Sequence, residues 1–136
     1  MRIALFSGRK NFSLSVAELV SESLRSRIFN LEVEVKSAEN ALDLVSEIVE
    51  AENFDIIAVI LFYGRETPDI MVLMEKLVEL DLKGKKTMKF LKRLRDDSDE
   101  VVEAEKISSS ILKKIFGEKY PKEGAGEKEK ESYSTL

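Results

Sequence analysis

Two segments of the sequence contain residue types that suit ligand binding, and the first covers residues 7–13. It holds a glycine, two cations and hydroxyl groups directly before a predicted helix, which suits a phosphate or another anion at a helix N-terminus. Arg9 and Asn11 are its candidate ligand-binding residues. The glycine spacing matches neither a Walker A loop nor a GxGxxG fingerprint, so an ordinary solvated turn is the alternative. Phe12 is either a ring that stacks on a ligand or a hydrophobic staple at the start of the helix.

The second segment, residues 63–67, directly follows the most apolar run of the sequence. Gly64 would let the backbone approach a ligand closely, because it has no Cβ. Arg65 has the charge of an anion anchor, and Glu66 has the carboxylate of a general base. The alternative is a surface ion pair between Arg65 and Glu66, which would contribute about 0–1 kcal/mol.

The sequence contains no His and no Cys, and this absence limits the chemistry of the chain. It excludes a Ser-His-Asp triad, a Cys-His pair, a zinc site of the usual ligands, an iron–sulfur cluster and a disulfide. Proton transfer would have to use Asp, Glu, Lys, Tyr or the substrate itself. Carboxylates such as Asp96, Asp97 and Asp99 could still bind Mg²⁺, although acids at a helix start are also explained by the helix dipole.

Size and composition predict one globular domain. A chain of 136 residues corresponds to one domain at roughly 150 residues per domain, and 43% apolar residues are enough for a core. The apolar pattern ends near residue 117, so we expect a domain over residues 1–117 and a charged, flexible tail over residues 118–136. The apolar run from Ile56 to Tyr63 is too short to span a membrane, and the N-terminal run is too short for a signal peptide. We therefore expect a cytoplasmic protein that does not bind membranes.

The elements that would position the candidate residues alternate between strands and helices. Strand patterns occupy residues 2–6, 31–35, 56–62 and 87–94. A helical pattern follows each strand, and the predicted N-terminal caps are Ser15, Ser37, Thr67 and Ser98. Pro68 strengthens the helix start at Thr67, and Gly117 is placed to end the last helix.

This βαβαβαβα order predicts an α/β fold in which helices cover both faces of a parallel sheet. We expect a three-layer αβα arrangement around a four-stranded sheet with strand order 2-1-3-4. Ligands of such sheets bind at the carboxyl ends of the strands, near the point where the strand order reverses. The loops at residues 7–13, 37–40 and 63–67 should therefore surround the site.

Two neighbouring blocks of opposite charge lie between the third helix and the last. Residues 83–95 carry seven basic residues and no acidic one, whereas residues 96–105 carry six acidic residues. Opposed blocks of this kind can mark head-to-tail contacts between subunits. The basic block alone would suit nucleic acid, but the net charge is -4 and Phe90 is its only aromatic residue. Nucleic acid is therefore not the expected partner.

Over residues 1–117, the element order, the element lengths and several loop positions resemble the lumazine synthase and archaeal-type riboflavin synthase family. The resemblance implies a flavodoxin-like, lumazine-synthase-like fold that assembles as a homopentamer. By position, Phe12 looks like the aromatic residue that stacks on the lumazine ring of the substrate. The loop that would touch the ribityl chain consists of Ala38, Glu39 and Asn40. The turn after the third strand is similar to the family's Pro-Gly-Lys turn and consists of Tyr63, Gly64 and Arg65, with Tyr63 at the usual proline.

The resemblance implies an enzyme of riboflavin biosynthesis that transfers a four-carbon unit between two 6,7-dimethyl-8-ribityllumazine molecules. Arg9 and Arg65 would hold anionic or polar groups of this pteridine- or flavin-like substrate, and Glu66 would transfer protons. Mg²⁺ is the one cofactor that the resemblance allows. The family has a catalytic His where this chain has Met74, which supports an alternative: a non-catalytic relative that binds a flavin or lumazine, or acts as a scaffold or interaction protein.

Overall fold

The computed structural model describes residues 1–8 and 11–117, where strands and helices alternate along the chain. The elements are β1 (Arg2–Gly8), α1 (Asn11–Arg27), β2 (Glu32–Ala38), α2 (Ala41–Glu50), β3 (Ile56–Tyr63), α3 (Pro68–Leu82), β4 (Met88–Arg93) and α4 (Glu100–Phe116). This confirms the predicted βαβαβαβα order. The tail predicted at residues 118–136 lies outside the described residues.

The four strands form one parallel sheet in the order β2-β1-β3-β4, as predicted. The two central strands, β1 and β3, are apolar on both faces, because helices cover each side of the sheet. The outer strands β2 and β4 include charged residues. The order reverses between β1 and β3, which places the expected ligand site at their carboxyl ends.

Alternating side chains of β3 divide the core into two layers. Ile60 and Phe62 pack with α1 and α4, whereas Val59 and Leu61 pack with α2 and α3. Each layer is sealed by aliphatic side chains that are fully buried: Leu24, Ile107 and Ile111 on the first side and Leu44, Leu73 and Leu77 on the second. The result is the predicted three-layer α/β/α arrangement, with flavodoxin-like strand order.

The two strands that flank the first helix are longer than their sequence patterns indicate. β1 continues to Gly8 and β2 continues to Ala38, because these ends pair with each other in register. Ser37 is therefore a strand residue opposite Ser7, and the prediction that it caps α2 is wrong. The true cap is Asn40, whose side-chain oxygen accepts a hydrogen bond from the Asp43 amide at 2.9 Å.

Two of the other predicted helix caps are also displaced. Ser15 lies inside α1, because this helix already begins at Asn11. Asp99, and not Ser98, caps α4, and its carboxylate accepts hydrogen bonds from two backbone amides in the first turn at 2.9 and 3.1 Å. The cap at Thr67 is confirmed, with Pro68 directly after it.

The basic block is divided between the two faces of the sheet. Lys89 points toward α3 and forms a buried ion pair with Asp81, whereas Lys92 points toward α4 and lies 3.0 Å from a carboxylate oxygen of Glu103. These two lysines of β4 are therefore structural, and the block does not form one continuous basic surface.

None of the described helices combines the length and the apolarity that crossing a lipid bilayer requires.

Candidate functional site

A cleft of about 530 Å³ opens at the carboxyl end of the sheet, between the starts of α2 and α3. All four strands contribute to its lining through their last residues: Gly8, Ala38, Tyr63 and Arg93. Its volume lies within the range of roughly 300–1,000 Å³ that is typical of small-molecule sites. The cleft also lies where ligands bind in sheets of this topology.

The inner wall of the cleft is apolar. Leu44 of α2, Leu61 of β3 and Ile70 of α3 line it, on the face of the sheet that α2 and α3 cover. Gly8 keeps this wall close to β1, because a Cβ built on Gly8 would lie 2.8 Å from Cδ1 of Leu61. Such a wall suits a flat ring system.

The outer part of the cleft carries charges of both signs. The lining includes two acids, Glu39 and Asp69, and two arginines, Arg65 and Arg93. The Nε of Arg93 donates a hydrogen bond to the Gly64 carbonyl oxygen at 3.2 Å. Arg65 is exposed and forms no ion pair within residues 1–8 and 11–117.

Tyr63 is the titratable group in the cleft whose pKa is clearly shifted. Burial raises the pKa of its phenol, the Glu66 carboxylate raises it further, and the Arg93 guanidinium opposes both effects. The phenol is therefore protonated at neutral pH and can donate a hydrogen bond to a ligand. The influence of Glu66 on Tyr63 also places that carboxylate near the cleft, although Glu66 is not one of the lining residues.

The starts of α2 and α3 present capped helix N-termini to the cleft. Both polar atoms of the Asn40 side chain are engaged with Asp43: the oxygen accepts from the amide, and Nδ2 lies 3.0 Å from a carboxylate oxygen. Thr67 caps α3 by accepting from the Ile70 amide at 3.4 Å. Contacts from Asn40 to a ligand would therefore compete with its capping role.

The cleft brings together six of the candidate residues named from the sequence: Ala38, Glu39, Asn40, Tyr63, Gly64 and Arg65. It does not bring in Phe12, whose ring packs edge-to-face on Phe62 with centroids 5.0 Å apart. Phe62 points toward α1 and α4, so Phe12 belongs to the opposite layer of the core. Asn11 is exposed at the start of α1, and Arg9 lies outside the described residues.

Arg93 is a charged lining residue that the sequence analysis did not single out. It was one cation among seven in the basic block of residues 83–95. The available signal was its position at the end of the fourth strand, where it pairs in register with Tyr63.

The described residues do not fit an Mg²⁺ site. Within residues 1–8 and 11–117, no group of three or more acidic side chains is arranged to hold a metal ion. The carboxylate of Asp99, one of the three aspartates considered for this role, is occupied by capping hydrogen bonds.

Comparison of the sequence with protein-family models gave no match, and comparison with curated proteins gave none either.

Proposed function

We propose that the cleft binds a pteridine- or flavin-type ligand, a flat heteroaromatic ring with a polyhydroxyl chain. The observation that carries this proposal is a cleft of about 530 Å³ with an apolar wall and a polar outer part at the carboxyl edge of the sheet. The resemblance of residues 1–117 to lumazine and riboflavin synthases points to the same class of ligand.

Within this proposal, the ring lies against Leu44, Leu61 and Ile70, where contact with water is lost on both surfaces. The hydroxyl groups of the chain reach the polar outer part, where Glu39 accepts hydrogen bonds and Tyr63 donates them. A mixed lining of this kind favours a ligand with many donors and acceptors.

The second candidate function is the transfer of a four-carbon unit between two ribityllumazine molecules. It is favoured by the Glu66 carboxylate, which lies near enough to raise the pKa of the protonated Tyr63 phenol, so that the two groups could supply a proton acceptor and a proton donor. Arg65 would stabilise negative charge that develops on the ring. Because Met74 occupies the position of the family's His, proton transfer would depend on this pair.

The proposal also includes a cytoplasmic homo-oligomer, a pentamer in the family that the chain resembles. Met71, Val78 and Leu82 lie along one side of α3 and are 55%, 38% and 83% exposed. A second copy of the chain would remove this apolar surface from water. Light scattering coupled to size exclusion tests this, and Leu82→Lys should shift the assembly toward monomer.

Ligand titration tests the binding function directly. Quenching of riboflavin and ribityllumazine fluorescence should saturate with wild-type protein. Gly64→Phe should abolish it, since open space around Gly64 allows the new ring to occupy the cleft. Val72→Phe, an exposed α3 position that does not line the cleft, is the matched control and should bind normally.

Absence of saturable quenching by the wild-type protein would overturn the binding proposal. If the wild-type protein binds these ligands, incubation with ribityllumazine alone distinguishes the two candidate functions. Formation of riboflavin that disappears in Glu66→Gln supports the transferase, and binding without product supports a non-catalytic ligand-binding protein.

A further inference from the structure

Arg93 is fixed in place at the outer part of the cleft. Its backbone pairs in register with Tyr63, and the next residue, Leu94, continues the ladder by donating to the Tyr63 carbonyl oxygen at 2.7 Å. Its side-chain Nε is bound to the Gly64 carbonyl oxygen at 3.2 Å. This leaves the paired Nη groups of the guanidinium as donors for a ligand.

Arg93 differs from the two lysines of β4 in that no carboxylate of the described residues forms an ion pair with it. Lys89 and Lys92 of the same strand form ion pairs with Asp81 and Glu103. Within the described ranges, neither Arg93 nor Arg65 forms an ion pair with a carboxylate.

The two acidic lining residues lie on different sides of the cleft. Glu39 follows β2 and Arg93 ends β4, and three strand spacings separate these strands by about 14 Å. Asp69 lies in the first turn of α3, where the positive end of the helix dipole balances a carboxylate. Both arginines of the lining therefore lie on the β3–β4 side of the cleft, together with Asp69 and away from Glu39.

Resting on the proposed function, we propose that Arg93 and Arg65 bind a phosphate monoester, and that the ligand is a flavin or pteridine with a phosphorylated polyhydroxyl chain. A guanidinium donates two parallel hydrogen bonds to an oxyanion. A phosphate monoester offers three terminal oxygens and a charge of about -1.5 to -2 at pH 7, which matches two guanidinium groups better than the single charge of a carboxylate does.

Riboflavin and riboflavin 5′-phosphate test this inference, since they share the ring and the chain and differ only in the phosphate. Wild-type protein should bind the phosphorylated form at least about tenfold more tightly in fluorescence titrations at low salt. Arg93→Gln should weaken binding of the phosphorylated form about 10- to 100-fold and change riboflavin binding less than about threefold.

Two further variants keep the test independent of folding defects. Arg95→Gln removes the same charge from an exposed residue that does not line the cleft, and it should leave both affinities unchanged. Arg65→Gln removes a side chain that forms no ion pair with the described chain, and it should also weaken the phosphorylated ligand selectively.

Equal wild-type affinity for the two flavins would overturn the phosphate site and leave the proposed function standing. So would equal effects of Arg93→Gln and Arg95→Gln. If neither flavin binds, the proposed function is overturned, and the phosphate site is tested by thermal shift with inorganic phosphate. Stabilisation of the wild-type protein but not of Arg93→Gln would support a phosphate site without a flavin ligand. Absence of stabilisation would overturn the phosphate site as well.

Discussion

The hydroxyl of Ser13 makes two hydrogen bonds to the backbone of Phe62. Its Oγ accepts from the Phe62 amide at 2.9 Å and donates to the Phe62 carbonyl oxygen at 3.3 Å. The last residues that pair between β1 and β3 are Ser7 and Ile60. Beyond them, Ser13 of α1 supplies the hydrogen bonds that a neighbouring strand would otherwise make to Phe62. The end of β3 is thereby held in place immediately before Tyr63 and the cleft.

Ser13→Ala should destabilise the protein by about 1–3 kcal/mol, because it leaves a buried amide and a buried carbonyl without their partner. Urea denaturation measures the free energy of unfolding. Ser108→Ala is the matched control: Ser108 is also fully buried on a helix of this layer, but its hydroxyl has no hydrogen-bond partner among the described residues. That variant should be neutral or more stable, and a loss equal to that of Ser13→Ala would contradict the assignment.

Asp81 should contribute a pH-dependent part of the stability. Burial alone would raise the pKa of Asp81, but the hydrogen bond from Lys89 and those from Thr87 bring it below its usual value. The folded-state pKa therefore lies below the unfolded value of about 3.9, so the carboxylate stabilises the fold above that pH. This contribution disappears as the pH falls through the folded-state pKa.

Asp81→Asn should accordingly cost about 1–3 kcal/mol at pH 7, since it leaves the buried Lys89 charge without its carboxylate. Urea denaturation of both proteins across the acid range should show this difference shrinking as Asp81 becomes protonated. Glu79→Gln, which breaks only the exposed pair with Lys76, should cost less than about 1 kcal/mol. A difference that stays constant down to the lowest pH would refute the linkage.

The Lys92–Glu103 pair should behave as a buried ion pair between β4 and α4. The two side chains are 19% and 6% exposed, and both carboxylate oxygens lie within 3.2 Å of Lys92 Nζ. Glu103→Leu alone should cost about 3–5 kcal/mol, whereas Glu103→Leu combined with Lys92→Met should recover most of that loss. A double-mutant cycle in urea measures the coupling, and additive effects would show that the pair contributes little.

Gly8→Ala should weaken ligand binding by displacing Leu61 from the apolar wall of the cleft. The new Cβ would lie 2.8 Å from Cδ1 of Leu61, so the Leu61 side chain must move and reshape the apolar wall. A loss of about tenfold in affinity for riboflavin is expected for one displaced methyl group. Gly64→Ala, where a Cβ meets no atom within 4 Å, should have the smaller effect, and the reverse order would argue against this wall as the ring site.

The strand order was predictable because apolar runs and helical stripes repeat in a regular alternation, which leaves few topologies for a chain of this length. The helix caps were harder to predict, because hydroxyl residues lie near each helix start. Ser37 has the right chemistry for a cap, but pairing with Ser7 keeps it in β2 and passes the cap to Asn40. The position of this cap therefore depends on the register between β1 and β2, which local sequence patterns do not reveal.

The candidate site was predictable in its loops but not in every side chain. Residues 38–40 and 63–65 reach the cleft because strand ends meet at one edge of the sheet. The position of Phe12 depended instead on the face toward which Phe62 points, since the two rings pack together. Arg93 was hidden among similar cations, and only the alternation of β4 separates it from the paired Lys92.

The lysines of β4 have a consequence for aggregation. In the described sheet, β4 is an edge strand, with a hydrogen-bonded neighbour on one side only. Such an edge can recruit a strand from another molecule, and inward-pointing charges are one means by which proteins prevent this. Lys89 and Lys92 are anchored to α3 and α4 on opposite faces, so a foreign strand aligned with β4 would have to accommodate two fixed charges. The ion pairs that hold this edge in place are therefore also expected to disfavour the addition of a foreign strand to the folded protein.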